Sequence, residues 1–236
     1  MNINDWLQQH PDYQLQAQQL GNSVWKIHHL ASDGDRRIKC ADDAKARYFL
    51  QQESLWISRI SGNALGRCYS LDNYHNSLCL VTDYVPGVKL STLIRDGYFS
   101  SEQNVAYIGE QLFQAVEQLH HQGVVHGDIK PDNILMDEED LHLIDFANAS
   151  WIGANMSARP YRGYSEHFSH PQLISSSGQY REVFDWFSLV RVLEVIANAD
   201  VSGPVSELSD GWFEQVLAES ELSTTRIEML KALMAN

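Results

Sequence analysis

His126-Gly127-Asp128-Ile129-Lys130-Pro131-Asp132-Asn133-Ile134-Leu135, followed by Leu143-Ile144-Asp145-Phe146-Ala147, is the stretch whose reading decides the fold. Two short apolar runs, Ile134 to Met136 and Leu141 to Ile144, flank the acidic turn Asp137-Glu138-Glu139-Asp140 and predict a pair of strands. One polar loop leads into the first strand and another leaves the second, so the hairpin holds both loops at one edge of a small sheet. Those loops carry an Asp, a Lys two residues on, an Asn five residues on and a second Asp seventeen residues on. Asp128, Lys130, Asn133 and Asp145 therefore bring together carboxylates, a cation and an amide, all short or directed polar groups.

Working outward, the first third of the chain predicts strands at Gln14 to Leu20, Ser23 to Leu30 and Arg36 to Cys40, with Ser32-Asp33-Gly34-Asp35 as a hairpin turn. Asp42 to Ile60 has helical character, opens with acids suited to a helix N-terminus and stops at Ser61-Gly62-Asn63. Cys68 to Leu71 and Leu78 to Tyr84 predict two further strands separated by Asp72 to Ser77, and Pro86-Gly87 marks a break. Beyond it a long helix is predicted from Ser101 to His121, with Ser100 or Ser101 as its cap and Gly123 as its stop. From Tyr180 onward the chain reads as two or three helices. A half of five strands and a helix, joined by a short connector to a helical half, is the architecture this pattern implies.

A chain of 236 residues suffices for one domain or two packed lobes, and 44% apolar with 20% charged residues is ordinary for a globular protein. The first residues, Met1 to Leu7, carry no signal-peptide pattern, and no segment reaches about 18 consecutive apolar residues. Cys40, Cys68 and Cys79 lack metal-ligand spacing and read as reduced thiols of a cytoplasmic protein. The histidine pairs His28–His29 and His120–His121 are sequence neighbours whose side chains diverge, so no structural metal site is expected. A net charge of −14 argues against nucleic-acid or anionic-membrane partners.

Phosphoryl transfer needs a carboxylate near the attacking hydroxyl, oxygen ligands for Mg²⁺ and a cation on the migrating phosphate. The quoted stretch resembles the catalytic loop and metal-binding motif of protein kinases, H-R-D-x-K-x-x-N and D-F-G. That resemblance implies an α+β, bilobal protein-kinase-like fold: one domain, 1–236, with a small antiparallel-sheet N-lobe over 1–85 and a mostly helical, shortened C-lobe over 86–236. Carried over by position, Asp128 accepts the proton of the substrate hydroxyl and Lys130 stabilises charge on the γ-phosphate, while Asn133 and Asp145 bind Mg²⁺. Lys39 holds the α- and β-phosphates and pairs with Glu53 on the following helix, whose alternative reading is a solvated helix charge. Leu80 to Gly87 resembles the fifth strand and hinge, so backbone groups of Asp83 and Val85 meet the adenine, Thr82 is a small gatekeeper and Leu135 forms the adenine floor. Lys130 resembles Ser/Thr more than Tyr kinases. Phe168 to Gln172 resembles the end of the activation segment, and Asp185 to Leu189 the helix whose Asp anchors the catalytic loop. The resemblance runs from about Leu15 to Leu193.

Four departures accompany it. The three glycine positions of the phosphate loop hold Ala17, Gln19 and Asn22, with only Gly21 nearby, which predicts weaker or differently shaped nucleotide binding. The small residue two before the strand Lys is Arg37. His-Arg-Asp has become His126-Gly127-Asp128, removing the Arg that pairs with a phosphorylated activation loop. Asp-Phe-Gly reads Asp145-Phe146-Ala147, and the Glu after Pro171 is Gln172. The segment Ser150 to Ser169 offers Ser157, Tyr161, Tyr164 and Ser165 beside Arg159 and Arg162, either as an autophosphorylation site or as a polar loop. In the tail, Trp212, Phe213, Val216 and Leu217, then Ile227, Leu230, Leu233 and Met234, have helical core spacing.

The expected function is ATP- and Mg²⁺-dependent phosphorylation of a Ser or Thr hydroxyl on a protein substrate, with neither nucleic acid nor membrane as partner. Oligomeric state is left open. Two alternatives stand beside it: a kinase-fold phosphotransferase for a small molecule, similar to aminoglycoside or choline kinases, and a pseudokinase acting as a binding module. The Gly of His126-Gly127-Asp128 favours the first alternative; the eroded loop and Arg37 favour the second.

Overall fold

A computed structural model describes residues 2–60, 66–98, 102–138, 140–198 and 224–234. The expected helix stop at Ser61-Gly62-Asn63, the caps Ser100 and Ser101, and the Trp212 to Leu217 spacing lie outside these residues, as do the side chains of Ala17, Leu233 and Met234. The chain divides into two compact units, Met1–Val85 and Pro86–Asn236. Together they make the bilobal α+β kinase fold.

In the N-terminal unit a five-stranded antiparallel sheet has the order β1-β2-β3-β5-β4, built from β1 (Tyr13–Gly21), β2 (Val24–His29), β3 (Gly34–Ala41), β4 (Cys68–Tyr74) and β5 (Ser77–Asp83). Its two faces are covered by different helices. On one, Ile27, Ile38, Cys40, Cys79 and Val81 pack with Ile3 and Trp6 of α1 (Ile3–Gln9). On the other, Ala41, Leu78 and Leu80 pack with Leu50 of α2 (Ala44–Ile57). Coverage of both faces explains why Ser77 to Thr82 are all buried, since a strand with one wet face would alternate. The α2 helix starts where the Asp43 carboxylate accepts the Ala46 N–H at 2.9 Å, an N-cap that satisfies an otherwise orphaned donor.

Two features of this unit go beyond the sequence expectation. The N-terminal residues form α1 and supply core side chains. The segment Asp72 to Ser77 is no separating loop: β4 and β5 run to a tight turn at His75-Asn76, where His75 takes φ 50°.

In the C-terminal unit α4 (Glu102–His121) packs on α6 (Val183–Asn198), burying Leu112, Phe113, Val116, Phe184, Leu189 and Val190. The strands β8 (Ile134–Asp137) and β9 (Asp140–Leu143) form the hairpin expected from sequence, and β6 (Val88–Lys89) adds to β8 as an edge. Two further short strands, β7 (Val124–Val125) and β10 (Ser150–Trp151), pair beside the loops. The remaining helices are α3 (Leu90–Arg95), α5 (Pro171–Ser175) and α7 (Thr224–Met234), the last burying Leu230.

Candidate active site

The polar loop ahead of β8 is organised by one carboxylate. Asp185, fully buried near the start of α6, accepts the His126 N–H at 2.7 Å, the Gly127 N–H at 2.9 Å and His120 Nε2 at 2.9 Å. Burying an ionised carboxylate costs several kcal/mol unless such donors compensate it. Here two of them are consecutive backbone amides, so the same bonds that satisfy Asp185 fix the loop entering Asp128. Gly127 sits at φ +76°, and a Cβ there would stand 3.0 Å from the Asn148 carbonyl oxygen. A side chain at 127 would therefore crowd that carbonyl in a backbone region that favours glycine.

His126 links the two loops. Its Nδ1 accepts the Asp128 N–H at 3.3 Å and its Nε2 donates to the Ile144 carbonyl at 3.1 Å, while its ring packs on Phe146 at 4.6 Å. A second tie runs from the Ile144 N–H to the Asn133 carbonyl at 2.9 Å. Asp145 follows directly, in left-handed backbone at φ 65°, and leads into the 3₁₀ turn Phe146–Asn148. Asp tolerates that region better than most residues, and a residue held there marks backbone over-determined by its surroundings. Ala147 has no positive φ, so the missing glycine of Asp-Phe-Gly imposes no backbone strain.

The side chain of Asp128 is gripped from three sides. Lys130 Nζ donates to its Oδ2 at 2.8 Å, Asn133 Nδ2 donates to the same oxygen at 3.1 Å and to the Asp128 carbonyl at 2.9 Å, and Ser165 Oγ donates to Oδ1 at 2.6 Å. Lys130 also donates to Ser165 Oγ at 2.9 Å, closing a triangle of Asp, Lys and Ser. Both bonds of Asn133 leave from its amide nitrogen, so its amide oxygen remains as a lone-pair donor. With the Asp145 carboxylate, the donor set is all oxygen and fits a hard cation such as Mg²⁺. Leu135 lies in β8 between the buried Ile134 and Met136, hence on the opposite, half-exposed face of that strand.

The activation-type segment is held by its own side chains. Arg159 donates to the carbonyls of Asn148 (2.9 Å) and Ala149, and Arg162 donates to the carbonyl of Ser176 at 2.8 Å. Asn148 Oδ1 accepts the Gly163 N–H at 2.9 Å. Gln172, in place of the family's Glu, donates to the Ser177 carbonyl; buried Arg191 pairs with Glu194 and donates to the His167 carbonyl.

In the N-terminal unit Lys39 and Glu53 come together as expected: Lys39 Nζ is 2.8 Å from Glu53 Oε2, and the Glu53 side chain is fully buried rather than solvated. Arg37 takes the other oxygen, Nη2 to Oε1 at 2.6 Å. The alternation of β3 puts Arg37 and Lys39 on one face, opposite Thr82 and Leu80 of β5. The departure at 37 is thus accommodated by a buried carboxylate whose two oxygens each meet one cation. Asp83 ends β5; its carboxylate accepts from Tyr69 Oη and the Arg67 N–H, both at 2.7 Å, and pairs with Arg36 at 3.0 Å. Its carbonyl accepts from Thr82 Oγ1 at 3.1 Å, and Val85 follows as the last residue of the unit. The β1–β2 connection is a tight turn through Asn22 and Ser23, with Ser23 at φ 56° and irregular register from Leu15 to Gly21.

Sequence reasoning missed two partners. Ser165 lies 37 residues from Asp128, and nothing local signals their bond. Arg37 stood out as a misfit, but its partner is visible only once β3 and α2 are packed.

The protein kinase domain family model matches residues 23–217, and the chain belongs to that family. It is 31% identical over 134 residues to Serine/threonine-protein kinase ppk34 of Schizosaccharomyces pombe, covering 55% of this chain and 38% of that protein. It is 30% identical over 158 residues to Putative serine/threonine-protein kinase PRKY of Homo sapiens, covering 65% of this chain and 54% of that protein. A third relative, cAMP-dependent protein kinase catalytic subunit PRKX of Mus musculus, is 31% identical over 158 residues, 65% of this chain and 42% of that protein. The chain spans about half or less of the length of these curated relatives.

Proposed function

We propose that this chain transfers the γ-phosphate of ATP to a serine or threonine hydroxyl of a protein substrate. One observation carries the reading. A serine hydroxyl, that of Ser165, already donates its hydrogen to Asp128 Oδ1 while Lys130 donates to the same hydroxyl oxygen. An acceptor hydroxyl needs that environment: a carboxylate to take the proton and a cation near the oxygen that attacks.

Asp128 is the general base; Lys130 and Asn133 hold its Oδ2, and Oδ1, which accepts from Ser165, is the oxygen that takes the acceptor's proton. Lys130 neutralises charge on the migrating group. Asn133, through its amide oxygen, and Asp145 would hold Mg²⁺. Bound there, the ion supplies positive charge for the phosphate oxygens. Lys39, fixed by Glu53, contacts the α- and β-phosphates; the backbone of Asp83 and Val85 and the side chain of Leu135 receive the adenine. The Ser/Thr names of the relatives support the acceptor class.

The competing reading is a binding module with little turnover. It is favoured by Arg37, which places a long cation where the family has a small residue. Incubation of wild type and Asp128→Asn with Mg²⁺ and γ-labelled ATP separates the two. Label on the protein or on an added protein substrate, reduced about a thousandfold in the variant while ATP binding persists, supports the enzyme. Absence of label from folded wild type over a panel of protein substrates supports the module. Label on a small hydroxylated acceptor alone moves the assignment to a small-molecule phosphotransferase.

A further inference from the structure

Cys40 and Cys79 face each other across the centre of the sheet, directly opposite in the β3–β5 register, with their sulfurs 2.7 Å apart. Strand register, the sulfur separation and the thiol shifts that this separation produces make the pair more than two small core residues. First, the Cys40 N–H bonds to the Ser23 carbonyl on the β2 side, and the Asp83 N–H, of the same parity as Cys79, bonds to Arg67 on the β4 side. Both backbones therefore turn their hydrogen bonds away from each other. Cys40 and Cys79 form a non-hydrogen-bonded antiparallel pair, whose Cα atoms lie about 4.5 Å apart. That is within the roughly 4.4–6.8 Å span a disulfide bridges.

Second, the sulfur separation is shorter than ordinary packing of unbonded heavy atoms, about 3.5–4.0 Å between carbons. From 2.7 Å, closure to the bond length of about 2.05 Å needs a movement of only about 0.6 Å. Third, the two thiols share one hydrogen bond. The Cys40 hydrogen points at the Cys79 sulfur, which lowers Cys79 below the ordinary thiol range, while donating that bond and being buried raise Cys40. One sulfur of the pair is therefore the better nucleophile and the other holds the proton.

We propose that Cys40 and Cys79 are a redox-active pair that closes reversibly to a cross-strand disulfide, with hydrogen peroxide or a small hydroperoxide as oxidant. The Cys79 sulfur attacks one peroxide oxygen, the O–O bond breaks, and the leaving hydroxide (alkoxide, from a hydroperoxide) takes up the Cys79 thiol proton to become water (or an alcohol). The resulting Cys79 sulfenic acid is then attacked by the Cys40 sulfur. The S–S bond forms as the S–O bond breaks, and the oxygen leaves as a second water carrying the Cys40 proton. Two thiols are oxidised and one peroxide is reduced. An added dithiol reverses the bond by exchange.

The oxidant must be small, because both residues are buried beneath Ile3 and Trp6 of α1. The bond ties the strand carrying Arg37 and Lys39 to the strand ending at Asp83 and closes a loop containing α2. It should therefore make the N-terminal unit harder to unfold. Cys68, half-buried beside Ser54 Oγ at 3.4 Å, has no cysteine opposite it in the β4–β5 register and stays a thiol.

The reduced full chain, freed of reductant, is treated with hydrogen peroxide near neutral pH. It is then denatured in a thiol-alkylating reagent and digested without reduction for mass spectrometry. Alkylation of Cys40 and Cys79 is expected to disappear together, with a dithiothreitol-sensitive peptide joining them and Cys68 still alkylated. The midpoint of thermal unfolding should rise on oxidation and return on reduction. Cys68→Ser should still give the joined peptide, and Cys79→Ser should leave Cys40 alkylated. Retention of both thiols through peroxide treatment that oxidises surface methionines would overturn the proposal. So would a linkage through Cys68, or one that forms only in denaturant.

Discussion

The two units of this protein-kinase-family chain treat the same family pattern differently. In the C-terminal unit the motif's polar groups are local: Asp128, Lys130 and Asn133 lie within six consecutive residues and bond to one another directly. In the N-terminal unit the pair Lys39–Glu53 is assembled from a strand and a helix fourteen residues apart, and Arg37 joins it from the same strand. The difference has a physical source. A loop whose groups bond at separations of two and five residues loses its geometry when any one changes. A carboxylate delivered by a packed helix has two oxygens to satisfy, and here Arg37 takes one and Lys39 the other. At position 37 the departure is therefore absorbed by tertiary packing, which sets the geometry there.

The comparison breaks most readily at Asp185. Replacing it by Ala removes the acceptor of two loop amides and of His120 together, leaving buried donors without partners. The expected loss is ~3–5 kcal/mol, a large share of a typical domain's stability. Denaturant unfolding checks it. A loss under about 1 kcal/mol would show that the loop is held by its own local bonds rather than by α6.

Arg37 tests the other unit. Arg37→Ala strands Glu53 Oε1 in a fully buried side chain, for an expected cost of ~1–3 kcal/mol, and Lys39→Ala should cost a similar amount through Oε2. Equal costs would confirm a carboxylate shared by two cations. A neutral Arg37→Ala beside a costly Lys39→Ala would show that Arg37 is a passenger and that the pair alone sets the geometry.

How far the sequence reached follows the same division. The quoted loop, its hairpin and the Asp185 anchor were legible because their spacing is local or because the anchor sits in a recognisable helix. The helix α1 was passed over although Ile3, Trp6 and Leu7 have helical spacing, since seven residues are too few for periodicity to stand out. The His75-Asn76 turn was hidden because Asp72 and Asn73 read as loop residues, yet they sit in β4 at the sheet edge, where polar side chains meet water. Neither Ser165 on Asp128 nor Arg37 on Glu53 has a signature at its own position. Each bond exists only after segments distant in sequence have packed.

Ser165 sharpens the comparison on the catalytic side, as a residue acting through Asp128 and Lys130. Ser165→Ala should reduce kcat about tenfold, with KM for ATP and thermal stability little changed, because the two charged groups lose their shared restraint. Ser165→Thr keeps the hydroxyl and should restore most of the rate. A drop in Ser165→Thr equal to that in Ser165→Ala would mean that the segment's shape, not the hydroxyl, is what matters.

The smallest expected effect concerns the end of the same segment, where His170 caps α5 by accepting the Gln172 N–H at 3.1 Å. Burial lowers its pKa from 6.5 to about 4, with the positive charge of Arg181 adding to the effect, and its ring lies among Phe184 and Phe187. Because the folded value is the lower one, the contribution to stability is complete above pH 6.5, where the imidazole is neutral in both states. As pH falls below that, the unfolded chain binds a proton that the folded chain refuses. Stability then declines by at most one proton's slope until about pH 4, where the folded ring also charges. His170→Asn keeps a capping oxygen and does not titrate. Its thermal midpoint should therefore fall less steeply than that of wild type between pH 6.5 and 4, and the two slopes should converge below that window. Parallel slopes throughout would mean that His170 binds its proton alike in the folded and unfolded chain, and that this segment's end is wetter than its packing on α6 implies.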